Sequence, residues 1–293
     1  MAQPHFGKDL DRLTGSSPRS RSTCDCGGGA MSRVPLSMIA LCVLAVLLAG
    51  CGGDEAAMTE VSHEDTKDMV VWSPAGDGPW PVVYALPDSG IAQHDLDVLA
   101  PALADRGLLV IGTNWPTGNE TDADFDVECG YRYAREIAED HGGDLSEPVT
   151  MLGNGLGGFV ATVQGLDDSR FGPDGSYDDC FTGTDRPDLV ITLGTCHNDY
   201  LDNAGPYYNN TEGKVVIIAG QDDDICQASL NVAPMLAALK ERGIEATTTE
   251  IADASHGELV FHDEDNRWAP LPEDDPAGQD TVDAIAQAID DVR

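Results

Sequence analysis

The chain of 293 residues carries 16 Lys and Arg against 52 Asp and Glu, which gives a formal net charge of −36. This balance excludes nucleic acid as an expected partner, because phosphate backbones are bound by clustered basic residues. The acidic residues are spread along the chain, a pattern typical of a soluble acidic surface. Residues 67–293 are long enough for one domain with a single core, and no internal repeat is visible.

The first 66 residues divide into three segments. Residues 1–30 are polar and rich in Gly, Ser and Arg, and we interpret them as an extension from a start codon assigned too early. Residues 31–50 have the features of a secretory signal: Arg33, a short apolar run and a small-residue ending. The apolar run is shorter than the roughly 20 residues of a membrane-spanning helix. Residues 51–66 are polar and predict a flexible tether.

The signal segment ends in Leu48-Ala-Gly-Cys51, which resembles the lipobox of bacterial lipoproteins. The resemblance implies cleavage before Cys51, a diacylglyceryl group on its sulfur, and an exported protein anchored to the membrane of the cell envelope by lipid. The alternative is an uncleaved signal anchor.

Apolar and amphipathic segments alternate along residues 67–293. Short apolar runs bounded by glycine and polar residues predict buried strands, and apolar positions at helical spacing predict helices. The predicted strands are Met69–Trp72, Pro81–Leu86, Leu108–Gly112, Val149–Leu152, Leu189–Leu193, Val215–Ala219 and Thr247–Ile251. The predicted helices are Leu96–Asp105, Asp126–Asp140, Val232–Lys240 and Thr281–Val292. This alternation predicts an α/β fold with a mostly parallel central sheet and helices on both faces.

A glycine-dense turn follows the predicted strand at Val149. Residues 149–158 read Val-Thr-Met-Leu-Gly-Asn-Gly-Leu-Gly-Gly. A strand, a tight turn and a helix in this order surround the serine of the G-x-S-x-G nucleophile elbow. Here the central position is Gly155, so the hydroxyl group that would act as nucleophile is missing.

Four stretches in chain order resemble the α/β-hydrolase superfamily, and within it the small dienelactone-hydrolase-like and polyester-cutinase-like esterases. They are Val82–Gly90, Cys129–Thr150, Gly220–Asp223 and Ala254–Gly257. The resemblance covers roughly residues 68–293 and implies an α/β-hydrolase fold. In that family a serine attacks an ester carbon, a histidine moves its proton, an acid orients the histidine, and backbone N–H groups stabilise the oxyanion.

The resemblance implies catalytic positions at Gly155, Asp223 and His256. Acidic neighbours on both sides of Asp223 leave its register open by one residue. His197 and His262 compete with His256, but neither follows the expected strand.

The resemblance also places Asp88, Ser89 and the N–H of Leu156 at the oxyanion hole and pocket. A carboxylate at Asp88 would face the developing negative charge, with a repulsion near 4 Å of roughly 1 kcal/mol in water and several times that in a drier pocket. The Leu156 N–H is expected to remain an oxyanion donor, because a backbone donor needs no particular side chain. Ser89 is an alternative nucleophile if His256 reaches it.

Four cysteines follow the lipobox, and an even number in an exported domain predicts two disulfides with three possible connectivities. They are Cys129, Cys180, Cys196 and Cys226. Cys196 and Cys226 follow consecutive strands whose ends lie at one edge of a parallel sheet, so we expect them to pair. That leaves Cys129 with Cys180, a pairing that the resemblance supports. No cysteine or histidine spacing fits zinc, and no metal or cofactor is expected.

These observations predict a lipid-anchored protein of esterase ancestry that has lost serine catalysis and binds a small-molecule, ester-like ligand or a partner at the old pocket. Two alternatives remain open at this point. The first is an active carboxylic ester hydrolase that uses Ser89 or a water activated by His256. The second is a structural envelope lipoprotein with a vestigial pocket.

Overall fold

A sheet of eight strands forms the core layer of the domain. The computed structural model describes residues 56–63, 66–88, 96–113, 120–167, 186–197, 210–256, 259 and 276–293. The strands are β1 (Ala57–His63), β2 (Thr66–Ser73), β3 (Val82–Leu86), β4 (Leu109–Thr113), β5 (Thr150–Asn154), β6 (Leu189–Leu193), β7 (Lys214–Gly220) and β8 (Glu245–Ile251).

The strands lie in the order β1-β2-β4-β3-β5-β6-β7-β8. From β4 to β8 every neighbouring pair is parallel, whereas β1 and β2 are antiparallel to their neighbours. Strands β3, β4, β5 and β6 are buried along their whole length. Continuous apolar runs in these strands fit a parallel sheet covered on both faces.

Five helices pack against the sheet in the described residues: α1 (Leu99–Ala104), α2 (Glu120–Ala138), α3 (Leu156–Leu166), α4 (Ala228–Glu241) and α5 (Pro276–Asp290). One core cluster contains Tyr131 of α2, Leu166 of α3 and Met235 of α4. A second cluster contains Leu103 of α1 and Ile285 of α5. The apolar faces of the helices thus form two cores, one on each side of the sheet.

The predicted strands agree with the observed ones to within a few residues, and the helices agree less closely. Helix α1 begins three residues later than predicted, and α2 begins six residues earlier. The prediction of a flexible tether over 51–66 is wrong for Ala57–His63, which pair with β2 as strand β1. Most side chains of β1 are exposed, so this edge strand depends on backbone hydrogen bonds and lacks an apolar signature.

No helix in the described part of the chain is both long enough and apolar enough to cross a bilayer. The predicted extension, the signal segment and Cys51 lie outside the described residues.

Candidate functional site

The turn between β5 and α3 has the geometry of a nucleophile elbow. Gly155 adopts φ 53° and ψ −119° and immediately precedes the first residue of α3. Its N–H donates to the carbonyl oxygen of Leu193 on β6 at 2.9 Å, and its own carbonyl accepts from the Gly158 N–H at 3.1 Å. Glycine takes this backbone conformation without the strain that a side chain would add. The turn therefore has the conformation of an elbow, with glycine at its centre.

The carboxylate of Asp88 fills the place that a side chain at position 155 would take. Asp88 lies two residues after the end of β3. A Cβ atom built on Gly155 would overlap Cγ and Oδ1 of Asp88 and would lie 2.8 Å from Oδ2. Glycine at position 155 and aspartate at position 88 are thus sterically complementary.

The same carboxylate accepts a hydrogen bond from the Leu156 N–H, the expected oxyanion donor. Oδ1 of Asp88 accepts a hydrogen bond from the Leu156 N–H at 2.7 Å. This N–H is the first of helix α3, and a carboxylate at a helix N-terminus is stabilised by the unpaired N–H groups and by the helix dipole. The expectation that the Leu156 N–H remains available to a substrate oxyanion is therefore wrong. Ser89 lies outside the described residues.

Asp223 and His256 are brought together beyond the ends of β7 and β8. Nδ1 of His256 lies 2.9 Å from Oδ2 of Asp223. The other oxygen, Oδ1, accepts from the Ile225 N–H at 3.0 Å and from the Cys226 N–H at 2.6 Å. Asp223 is 4% exposed, so these bonds hold a buried carboxylate in one orientation. Of the three consecutive aspartates, Asp223 is the one bonded to His256.

His197 and His256, two of the three candidates for the catalytic base, differ in burial and in their hydrogen-bond partners. His197 is 1% exposed, and its Nε2 lies 3.3 Å from Oγ1 of Thr192. Burial lowers the pKa of His197 to about 4, because the charged imidazolium is poorly solvated there. His256 instead has the carboxylate partner that a catalytic histidine needs. His262 lies outside the described residues.

The pH dependence of stability should report on His197. Its folded pKa of about 4 lies below the ordinary value of 6.5, so the unfolded chain binds a proton more readily. The contribution of neutral His197 to the free energy of unfolding is fully present above pH 6.5. As the pH falls toward 4 this contribution is lost, by about 3 kcal/mol in total. His197→Gln should flatten that part of the profile in urea titrations between pH 4 and 7. An unchanged slope in His197→Gln would contradict this assignment.

A disulfide joins Cys196, three residues after β6, to Cys226, next to the acid loop. This is the pairing that the order of the strands predicts. Because the Cys226 N–H also binds Asp223, the bridge ties the acid to the neighbouring strand end. Cys129 is also disulfide-bonded. Cys180, its predicted partner, lies outside the described residues, so that pairing stays a prediction.

Replacing both Cys196 and Cys226 by alanine is expected to lower the free energy of unfolding by about 3–4 kcal/mol. The bridge closes a loop with a sequence separation of 30, and its removal frees the unfolded chain. Urea unfolding of wild type and variant measures the difference, with the surface variant Asp105→Ala as control. A loss below about 1 kcal/mol would contradict the prediction.

Potential metal ligands in the described residues converge at Asp223, Cys226 and His256, whose donor atoms lie within 4.8 Å of one another. The sulfur of Cys226 is in a disulfide, and Asp223 is bonded to His256. A disulfide sulfur is not the thiolate that zinc binds. The arrangement therefore fits an acid–base pair better than a metal centre.

The site described above lies at the carboxyl ends of the strands. A cavity of about 540 Å³ lies at the other edge of the sheet, near the amino ends of β5, β6 and β7. Its lining includes Arg135, Glu147, Arg186, Asp188 and Glu212. Charges of both signs line this cavity, and none of the elbow, acid or histidine positions does. The candidate chemistry thus lies at the carboxyl edge, where ligands of open α/β sheets bind.

The sheet order, the elbow and the acid–histidine pair define an α/β-hydrolase fold, and comparison with solved structures supports this. Esterase B from Lactobacillus rhamnosis is 14% identical over 87% of this chain and 93% of its own, with a TM-score of 0.62. A truncated carbohydrate esterase from gut microbiota is 12% identical over 82% of this chain and 98% of its own, with a TM-score of 0.63. The α/β hydrolase MGS-M1 from a Medee basin deep-sea metagenome library is 13% identical over 82% of this chain and 98% of its own, with a TM-score of 0.58.

The chain therefore has the α/β-hydrolase fold. At these identities the likeness concerns the fold and not the activity. No protein-family profile matches the sequence, and no curated protein does.

Proposed function

We propose that this is a lipid-anchored protein of esterase ancestry that has lost serine catalysis and binds a small molecule or a partner at the former active site. One observation carries the proposal. The Asp88 carboxylate stands where a nucleophilic side chain would be and accepts the Leu156 N–H that would stabilise the oxyanion. Two requirements of acyl transfer are thus unmet at one point in the site.

A ligand-binding test addresses this role directly. Ligand-observed NMR with ethyl butyrate, 1-butanol and butylamine samples an ester, an alcohol and an amine that carry similar short alkyl chains. We expect at least one probe to bind wild type and to lose binding in His256→Trp, which introduces a larger ring and removes the bond to Asp223. Binding of no probe would contradict the ligand-binding role and favour the structural envelope lipoprotein.

The Asp223–His256 pair supports a second candidate, hydrolysis by an activated water. Gly155 has no side chain, and Nδ1 of His256 is already bonded to Asp223, which leaves Nε2 as the nitrogen that could accept a proton from water. Ester hydrolysis by wild type that is abolished in His256→Gln would establish this candidate. A dependence on Ser89→Ala as well would identify the serine next to Asp88 as the nucleophile.

The lipid anchor follows from the Leu48–Cys51 sequence and is tested separately. The full chain expressed in a bacterial host is expected to fractionate with membranes and to gain a diacylglyceryl mass on Cys51. Cys51→Ser should block lipid attachment and normal processing, so the diacylglyceryl mass should be absent. Intact mass spectrometry that finds an unmodified Cys51 in the mature, membrane-bound protein would refute the proposal.

A further inference from the structure

We infer that Asp88 is the specificity-determining residue of this site: its carboxylate excludes a carbonyl group from the elbow, while the Asp223–His256 pair remains able to activate a hydroxyl group at position 155. The inference rests on the proposed function and deepens it. In this view the site rejects a carbonyl group, and two residues, Asp88 and Gly155, separate it from acyl transfer.

Asp88 occupies the hydrogen-bond donor that an oxyanion would need. The Leu156 N–H points at Oδ1 of Asp88 at 2.7 Å. In acyl transfer the same donor would hold the oxygen of the tetrahedral intermediate. A second negatively charged oxygen at that donor would be repelled by the carboxylate, and the repulsion grows as water is excluded. Asp88 thus takes the position of the reaction's own oxyanion.

Asp88 also occupies the space that a side chain at position 155 would need. A Cβ at position 155 would overlap Cγ and Oδ1 of Asp88. The obstacle is the end of a rotatable side chain, so a serine could push the carboxylate aside. Its negative charge would nevertheless stay close to the carbon under attack. Gly155→Ser alone is therefore insufficient, and removal of the carboxylate is needed as well.

Two other features of the site suit a hydroxyl nucleophile, namely the backbone of the elbow and the Asp223–His256 pair. The elbow retains φ 53° and ψ −119° at Gly155, which is a strained conformation for any residue with a side chain. The buried Asp223 carboxylate still accepts two backbone N–H groups and still holds Nδ1 of His256. A histidine held in this way presents Nε2 as a general base. The Asp223–His256 pair thus keeps the internal hydrogen bonds of a general-base pair.

Covalent labelling of purified variants with an alkyl fluorophosphonate tests the inference. The hydroxyl introduced by Gly155→Ser would attack phosphorus, the P–F bond would break, fluoride would leave, and Nε2 of His256 would take the hydroxyl proton. We expect Asp88→Ala/Gly155→Ser to gain one phosphonyl mass at position 155 at least about 100-fold faster than Gly155→Ser. The added substitution His256→Gln should abolish the gain. The control Asp105→Ala/Gly155→Ser, which removes an exposed carboxylate elsewhere, should react like Gly155→Ser.

Equal labelling of Gly155→Ser and Asp88→Ala/Gly155→Ser would overturn the role of Asp88. An unreactive Asp88→Ala/Gly155→Ser whose unfolding midpoint matches wild type would overturn the claim that the pair is still competent.

If the serine variants do not fold, the single variant Asp88→Ala decides the question. It should bind butylphosphonate at least 10-fold more tightly than wild type and shift the Leu156 amide proton in NMR spectra, and absence of both changes would overturn the inference. Ester turnover by wild type would instead contradict the proposed function, so the two failures are distinguishable.

Discussion

Purified wild-type protein is expected to release p-nitrophenol from p-nitrophenyl butyrate about 10⁶-fold more slowly than a serine esterase of this fold. Loss of the nucleophile alone lowers kcat by about that factor in subtilisin and leaves roughly 10³–10⁴ over water. Here the oxyanion donor is also occupied, since the Leu156 N–H binds Asp88. The residual rate should therefore be at or below the low end of that range.

The control for this prediction is Gly155→Ala, which should be as inactive as wild type because neither residue offers a hydroxyl group. Steady-state kinetics on acetyl, butyryl and octanoyl esters of p-nitrophenol would cover the range of acyl lengths. Robust turnover that survives Gly155→Ala and disappears in His256→Ala would show that the site hydrolyses esters by another route. In that case the activated-water or Ser89 candidate would replace the proposed function.

Much of the fold was predictable because its strands are buried on both faces. Strand β6, Leu189–Leu193, is a continuous apolar run with sharp polar ends, and its predicted and observed bounds are identical. Strand β1 was not predicted because apolar and polar side chains do not alternate in it and most are exposed. It is held at the edge by pairing with β2. An edge strand of this kind has no hydrophobic periodicity that a sequence could display.

The candidate site was predictable in its positions and not in its contacts. Asp223 and His256 follow strands in the chain order that the α/β-hydrolase fold requires, and the structure joins them through Nδ1 and Oδ2. The direction of the Asp88 side chain depends on the space left by Gly155, which is 67 residues further along the chain. Sequence reasoning placed a carboxylate near the oxyanion hole, and the three-dimensional structure was needed to show that it binds the Leu156 N–H.

Alanine at position 157 is expected to destabilise the protein by about 3 kcal/mol or more, among the largest single-residue effects in the chain. Gly157 is the second residue of α3 and packs directly on the end of β3. An added Cβ would overlap the carbonyl oxygen of Pro87 and lie 2.6 Å from the carbonyl oxygen of Leu86. Both obstacles are backbone atoms, so the contact can be relieved only by moving the helix away from the strand. That movement would also break the bond between Asp88 and the Leu156 N–H.

Gly107→Ala is the matched control for this prediction. Gly107 has φ +83°, but a Cβ there would meet nothing within 4 Å. Alanine at this position should lower the free energy of unfolding by only about 1–2 kcal/mol, from backbone strain alone. At position 157 the helix propensity of alanine works in the opposite direction, favouring the variant by up to about 1 kcal/mol, so a large loss there isolates the steric term. Urea unfolding of the two variants makes the comparison. A Gly157→Ala variant no less stable than Gly107→Ala would mean that α3 is not held against β3 as closely as the elbow geometry requires.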